Sequence, residues 1–217
     1  MKVIITGTTG MVGEGVLLEC LANPEVERVL AVSRRSCGHA HPKLSECLVP
    51  DFRDLTGVRA QLSGYDACFY CAGVSSVGMK EDDYAAITYE TPLRFAETLL
   101  ELNPGLVLVH VSGAHTDGRE QGKVMWARVK GKAENALSRL PFKAVYHFRP
   151  SLMKPAAGQK HIKRAYRALL VFYPLMNLFF PGLELERVGR AMLRAVKHGA
   201  PKRVLEAKDI GELAPKA

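Results

Sequence analysis

The sequence predicts an α/β fold, a doubly wound and mostly parallel sheet with helices on both faces, and three observations predict it. Short apolar runs alternate with stretches of helical period through the first 150 residues, which is the pattern of βαβ units. The first run leads directly into a glycine-rich loop, Thr6-Gly7-Thr8-Thr9-Gly10-Met11-Val12-Gly13, that opens a helix. A chain of 217 residues, 47% hydrophobic and 24% charged, has the balance of a globular protein and can bury one core of this type, not two. A single domain over residues 1–217 is expected, without repeats, low-complexity tracts or linkers.

Residues 3–6 read as the first strand, 11–22 as a helix and 28–33 as the second strand. Residues 47–49 form a brief third strand, followed by a helix near 55–62 and a buried fourth strand at 67–72. A long helix over 82–101 ends at Asn103-Pro104-Gly105. A fifth strand at 106–111, a helix at 123–140 and a sixth strand at 144–148 complete the regular part. The remainder predicts an apolar helix from about 162 to 180, interrupted at Pro174, a second helix at 184–198 and a short strand at 203–205.

The glycine loop carries the chemistry. Gly7 lets the chain turn sharply, Gly10 lets backbone approach a ligand, and Gly13 lets the helix pack on the strand. Unpaired amides at the positive end of that helix suit a diphosphate, so residues 7–13 are read as a dinucleotide cradle. After the second strand, an NAD site usually offers an acidic residue to the ribose hydroxyls, but here the chain reads Ser33-Arg34-Arg35-Ser36. A guanidinium pairs with a 2′-phosphate that a carboxylate would repel. NADP(H) is the expected cofactor, with NAD(H) as the alternative, and Arg34 is favoured over Arg35 as the contact.

With Val109-His110-Val111-Ser112 and Trp126-Ala127-Arg128-Val129-Lys130-Gly131-Lys132-Ala133-Glu134, this loop resembles the short-chain dehydrogenase/reductase superfamily. The likeness is to its atypical, epimerase-like NAD(P)-binding branch, which includes relatives of the oxidoreductase-like Tat-interacting protein. Phe148-Arg149-Pro150 is also typical of it, and the resemblance covers roughly residues 1–155. It implies a Rossmann-type fold, with Asp51 and Phe52 contacting adenine and Cys71, Ala72 and Gly73 lining the cofactor. It further implies that Thr88 braces the central strands, Ser112 is the active-site serine and Lys130 holds the nicotinamide ribose. The family's catalytic tyrosine belongs four residues before that lysine, where this chain has Trp126. A phenol can be tuned toward working pH, whereas an indole N–H donates a hydrogen bond but gives up no proton there. Two readings follow. Either hydride transfer on a small carbonyl or alcohol uses another donor, such as Tyr84, Tyr89, His115 or a water held by Ser112 and Lys130, or the domain is a non-catalytic NADP(H) sensor or adaptor.

Other constellations weigh less. Cys68 and Cys71 lie three apart on a strand, so their sulfurs point to opposite faces, and no metal site is expected. His110 shares a face with Ser112 and is expected to pack, and His115 lies in a loop. The loops at 75–79, 113–122 and 151–158 would choose a substrate, which the sequence does not identify.

The net charge of +8 is uneven. Residues 1–153 carry 17 basic and 17 acidic side chains, and residues 154–217 carry 13 and 5. Residues 154–200 are therefore read as a basic, apolar helical extension on the substrate or partner side. Residues 160–180 are candidates for a homodimer contact, a lid or a helix lying on an anionic membrane, being too short to span one. No motif accompanies the charge that would point to nucleic acid. Five cysteines without framework spacing and a start lacking a secretory pattern suit a cytoplasmic protein, with peripheral membrane association as the variant.

Overall fold

The computed structural model describes residues 1–162, Tyr166 and residues 182–214. In chain order its strands are β1 (Lys2–Thr6), β2 (Arg28–Ser33), β3 (Leu44–Leu48), β4 (Ala67–Tyr70), β5 (Val107–Val111), β6 (Ala144–Arg149), β7 (Met153–Lys154), β8 (Leu183–Glu184) and β9 (Val204–Glu206). Seven of them form one sheet in the order β3-β2-β1-β4-β5-β6-β9, with every pairing parallel, and β7 and β8 form a separate parallel pair. The strand order reverses between β1 and β4, so a crevice opens beyond their carboxyl ends, where open α/β sheets bind ligands.

Alternation along each strand builds two cores. Val3, Ile5, Phe69, Val109 and Phe148 point to one face and meet α1 (Met11–Ala22) and α5 (Leu185–His198). Ile4, Cys68, Leu108 and Val145 point to the other, together with Phe95 and Leu99 of α3 (Thr91–Leu102) and Leu137 of α4 (Met125–Ser138). Residues 185–198, read as part of an extension, form a helix whose Val188, Ala191 and Met192 are fully buried in the first core. Behind β9, α6 (Ala207–Leu213) closes that layer, an element without a sequence expectation.

Three elements differ from expectation. The third strand lies at Leu44–Leu48, ahead of residues 47–49, because its backbone follows the register of β2 rather than its own apolar content. The helix near 55–62 is a 3-10 helix over Thr56–Leu62, in which only Leu62 is buried. The long helix is broken into α2 (Glu81–Ala85), a π-helical turn (Ala86–Glu90) and α3. Pro92 has no amide to offer and its ring crowds the carbonyl one turn back, so the ladder widens there. The Thr91 hydroxyl and amide both donate to the Ala86 carbonyl, the hydroxyl at 2.7 Å. The helix expected at 162–180 lies outside the described residues except for Ile162 and Tyr166, as does the 160–180 segment of the membrane, lid and dimer readings apart from residues 160–162 and Tyr166. Among the described residues no helix is long and apolar enough to cross a membrane.

The start of α4 is held by the loop that follows β5. The Asp117 amide donates to the Ala127 carbonyl at 3.0 Å, and the Asp117 carboxylate accepts the amides of Arg119, Gln121 and Gly122. A Cβ at Gly131 would lie 1.8 Å from the Asp117 carbonyl oxygen, so only glycine lets the loop press on the helix at this point. Gly131→Ala is expected to destabilise the protein by about 2 kcal/mol, lowering Tm by roughly 4–8 °C in a thermal melt. A Tm unchanged by the substitution would show that the loop gives way freely.

Candidate functional site

The β1–α1 junction forms the floor of the site. The Thr6 hydroxyl accepts the amides of Cys71 and Ala72, both at 3.1 Å, which clasps the ends of β1 and β4 together across the reversal. Gly7 has φ +71°, and a Cβ there would sit 2.7 Å from the Cys71–Ala72 peptide. At Gly13 a Cβ would come within 2.2 Å of the Gly7 carbonyl oxygen, so the loop folds back onto its own helix. Helix α1 has Gly10 as N-cap and no side-chain cap, and its first internal bond runs from the Glu14 amide to the Gly10 carbonyl. The amides of Met11, Val12 and Gly13 are therefore left to a ligand. The Thr8 hydroxyl is fully buried, with no hydrogen-bond partner among the described residues. An orphaned donor beside an uncapped helix N-terminus fits a phosphate group.

A second tie crosses this floor. Glu14, in the first turn of α1, is fully buried and accepts His39 Nε2 at 2.8 Å and the amides of Lys160 and His161 at 2.7 and 2.8 Å. The Gln159 amide group donates to the Met11 carbonyl at 2.6 Å. Burial alone would raise the Glu14 carboxyl, but these hydrogen bonds outweigh it and hold it below the usual carboxylate range. The 156–161 segment thus straps the loop after β2 to the first turn of α1. Sequence reasoning missed it, because an acidic residue in a first helical turn reads as a dipole partner.

Beyond the junction lies a cavity of about 480 Å³, lined by Arg34, Asp51, Phe52, Tyr70, Ala72 and Gly73 among others. Of the expected cofactor contacts it gathers these five, Arg34, Asp51, Phe52, Ala72 and Gly73, whereas residues 7–13 and Lys130 do not line it. Arg35 is exposed but does not line it, and its carbonyl instead accepts the Ser33 hydroxyl at 2.6 Å. Cys71 is also absent from the lining; its thiol is packed against the first core and burial pushes it up to about 12. Cys68 lies in the opposite core, so the two sulfurs face apart. Arg53 lines the cavity and was not anticipated. It grips the Asp51 carboxylate through Nε and Nη2, at 3.1 and 2.8 Å, and holds that carboxyl below its usual range. The Asp51–Arg53 spacing, with the Arg53 amide on Asp51 Oδ1 at 2.9 Å, is an Asx-turn signal that could have found it.

The catalytic candidates lie at the carboxyl end of β5 and on α4. Ser112 is buried, and its Oγ lies 3.0 Å from Thr116 Oγ1. The Thr116 proton is committed to the Gly113 carbonyl at 2.7 Å, so the Ser112 hydroxyl must be the donor between them. Thr116, unforeseen in the sequence, therefore orients the serine. Lys130 lies against Gly113 with its ammonium lowered by burial, an effect opposed by the Glu134 carboxylate one turn on. Trp126 lies one turn before Lys130 on the same face of α4 and is half-buried. Of the other proton donors considered, Tyr84 is buried and raised by burial, Tyr89 lies under the Lys132 ammonium at 4.5 Å, and His115 is exposed. Thr88 is buried on the π-helical turn.

Beneath Ser112, His110 and His147 face each other in register across β5 and β6, Nδ1 to Nδ1 at 3.2 Å. His147 Nε2 lies 2.8 Å from Ser138 Oγ. Glu134 and Arg149 form a buried ion pair alongside, in which Arg149 also reaches Glu206 at 3.0 Å.

Matched against family models, residues 3–205 fit the NAD dependent epimerase/dehydratase family. The chain belongs to this family. Relatives place the member further. Protein fmp52, mitochondrial, of Emericella nidulans is 27% identical over 180 residues, which cover 79% of this chain and 74% of that one. Among solved structures, the Bordetella bronchiseptica enzyme WbmF in complex with NAD+ superposes with TM-score 0.69 at 17% identity, covering 100% of this chain and 79% of that one. The dTDP-glucose 4,6-dehydratase DesIV of Streptomyces venezuelae, with NAD and TYD bound, gives 0.68 at 16%, covering 98% and 80%. At such identities these structures share the fold.

The two histidines make a pH prediction. Burial holds both rings neutral, bringing His147 down to about 4 and His110 well below its ordinary value. The unfolded chain therefore binds protons that the folded chain refuses. The stability contributed is complete above about pH 6.5 and is lost as pH falls toward 4, at about 1.4 kcal/mol per pH unit for each ring. Urea unfolding from pH 7 to 4 is expected to give a shallower decline in His147→Gln than in the parent chain. Parallel declines would remove His147 from the acid response.

Proposed function

We propose that this family member is an NADP(H)-dependent oxidoreductase, epimerase-like in fold, acting on a small carbonyl or alcohol. The observation that carries the reading is the uncapped start of α1 with the buried, unpartnered Thr8 hydroxyl beside it. Met11, Val12 and Gly13 amides and the Thr8 hydroxyl would hold the diphosphate, and Gly10 would let it approach. Asp51, Phe52, Ala72 and Gly73 line the cavity and would contact the adenosine. The bound dinucleotide supplies or accepts a hydride. Lys130 would hold its ribose and Ser112, kept in place by Thr116, would orient the substrate oxygen.

NADP(H) over NAD(H) rests on Arg34, which lines the cavity where an acidic residue would otherwise meet the ribose, and on Arg53 beside it. NAD-bound relatives such as WbmF support the dinucleotide and leave the phosphate preference to these arginines. One observation favours a second reading. At the tyrosine position Trp126 offers no titratable proton, which suits a non-catalytic NADP(H) sensor.

Trp126 is the sole tryptophan, so its fluorescence reports binding directly. NADPH is expected to quench it at lower concentration than NADH. Arg34→Ala should weaken NADPH by about 10- to 100-fold, the worth of a charged hydrogen bond, while changing NADH affinity little. Equal loss for both nucleotides would refute the phosphate preference, and no quenching or calorimetric heat with either would refute the cofactor site. Oxidation of NADPH by an ortho-quinone, followed by absorbance, then separates enzyme from sensor.

A further inference from the structure

We propose that Glu14 and Glu46 are positioning residues for dinucleotide choice: they clamp the loop after β2 from two sides and so hold Arg34 where a 2′-phosphate would lie. The inference rests on the NADP(H) reading above. In NADP(H) the ribose fixes the span between the 2′-phosphate and the diphosphate. A guanidinium meets that phosphate only if its loop is held at the same span from the start of α1. Arg34 follows β2 directly and lines the cavity, whereas neither Glu14 nor Glu46 does. Glu14 is fully buried, so its carboxylate is out of a ligand's reach.

Each side of the clamp is a set of hydrogen bonds to residues 36–39. From β3, Glu46 accepts the Cys37 amide at 2.6 Å and the Ser36 hydroxyl at 2.8 Å. Ser36 Oγ in turn accepts the Gly38 amide at 3.1 Å. From α1, Glu14 Oε1 lies 2.8 Å from His39 Nε2. The strap whose Lys160 and His161 amides Glu14 accepts adds two bonds of its own to the loop. Lys160 Nζ donates to the Gly38 carbonyl at 2.6 Å, and His161 Nε2 lies 2.9 Å from the Cys37 carbonyl oxygen. The Cys37 side chain is buried in the first core. Burial would raise both carboxyls, but these hydrogen bonds hold each below the usual carboxylate range, so both serve as anionic acceptors.

The loop's two arginines stay outside the clamp. The Ser33 hydroxyl fixes the Arg35 carbonyl at 2.6 Å, yet among the described residues the guanidinium groups of Arg34 and Arg35 take no hydrogen bond or ion pair. Both carboxylates are taken up by the loop's amide, hydroxyl and imidazole groups and by the strap. They set its shape and leave the Arg34 charge to the cavity, where a phosphate can meet it in two-pronged fashion. A loop held in place before the nucleotide arrives needs no ordering on binding. Only a nucleotide that uses the loop benefits from this, and NADH, without a 2′-phosphate, does not. Because Glu14 also belongs to the first turn of α1, one residue ties this loop to the amides that would hold the diphosphate.

Titration calorimetry of the full chain with NADPH and with NADH tests this through the ratio of the two affinities, in which any change at the shared diphosphate cradle cancels. Glu14→Gln and Glu46→Ala are each expected to lower the NADPH preference about tenfold, part of what loss of the Arg34 side chain itself removes. On an Arg34→Ala background neither should lower it further, because both act through that side chain. An unchanged ratio in either single variant overturns the clamp, and so does a further fall on the Arg34→Ala background. Thermal melts establish that each variant folds. Should Glu14→Gln not fold, His39→Ala takes its place with the same expectation, since it frees the loop from Glu14 and leaves the strap's amides on that carboxylate. If Arg34→Ala alone keeps the parent's ratio, the NADP(H) preference itself fails. A lowered ratio in Arg34→Ala beside parent-like ratios in the carboxylate variants defeats the clamp alone.

Discussion

Everything at the site depends on how closely β1, α1 and β4 approach one another. Thr6 pins the Cys71–Ala72 peptide to the end of β1, Gly7 turns the chain against that peptide, and Gly13 lets α1 fall back onto Gly7. The two glycine contacts are backbone to backbone and leave no space for a side chain. With the loop drawn tight, the first amides of α1 have no side-chain cap and the Thr8 hydroxyl no partner among the described residues. The electrostatic cradle is thus a by-product of packing, present before any ligand arrives.

Two further ties carry that rigidity outward. Glu14 fastens the 156–161 segment and His39 to the same helix, and so links the loop bearing Arg34 with the start of α1. On the other side, the Asp117 loop rests on α4 at Gly131, which sets Ser112 and Thr116 against Lys130. Both sides of the crevice are positioned by polar contacts between separate segments, buried at Glu14 and exposed at Asp117. Such contacts are costly to leave half-satisfied, which favours one arrangement over its neighbours.

The replacement of a phenol by an indole at position 126 changes what the rest of the site must do. Lys130 is the ionisable side chain that α4 brings against Gly113 at the end of β5.

The glycine spacing after a strand determined where α1 begins, and a short apolar run determined β2, because backbone geometry is local. The Ser112, Trp126 and Lys130 readings came instead from the resemblance to a family whose residues stand at fixed offsets along the chain. Only the tertiary structure removed Cys71 from the cavity lining, revealed Arg53 and Thr116, and joined His110 to His147 and Ser138. Even the π-helical turn before Pro92 follows from a carbonyl one turn back, which a pattern of apolar residues does not register. Periodicity tells which face of an element is buried, whereas a hydrogen bond depends on what another segment brings to within 3 Å, and that is decided only when the layers pack.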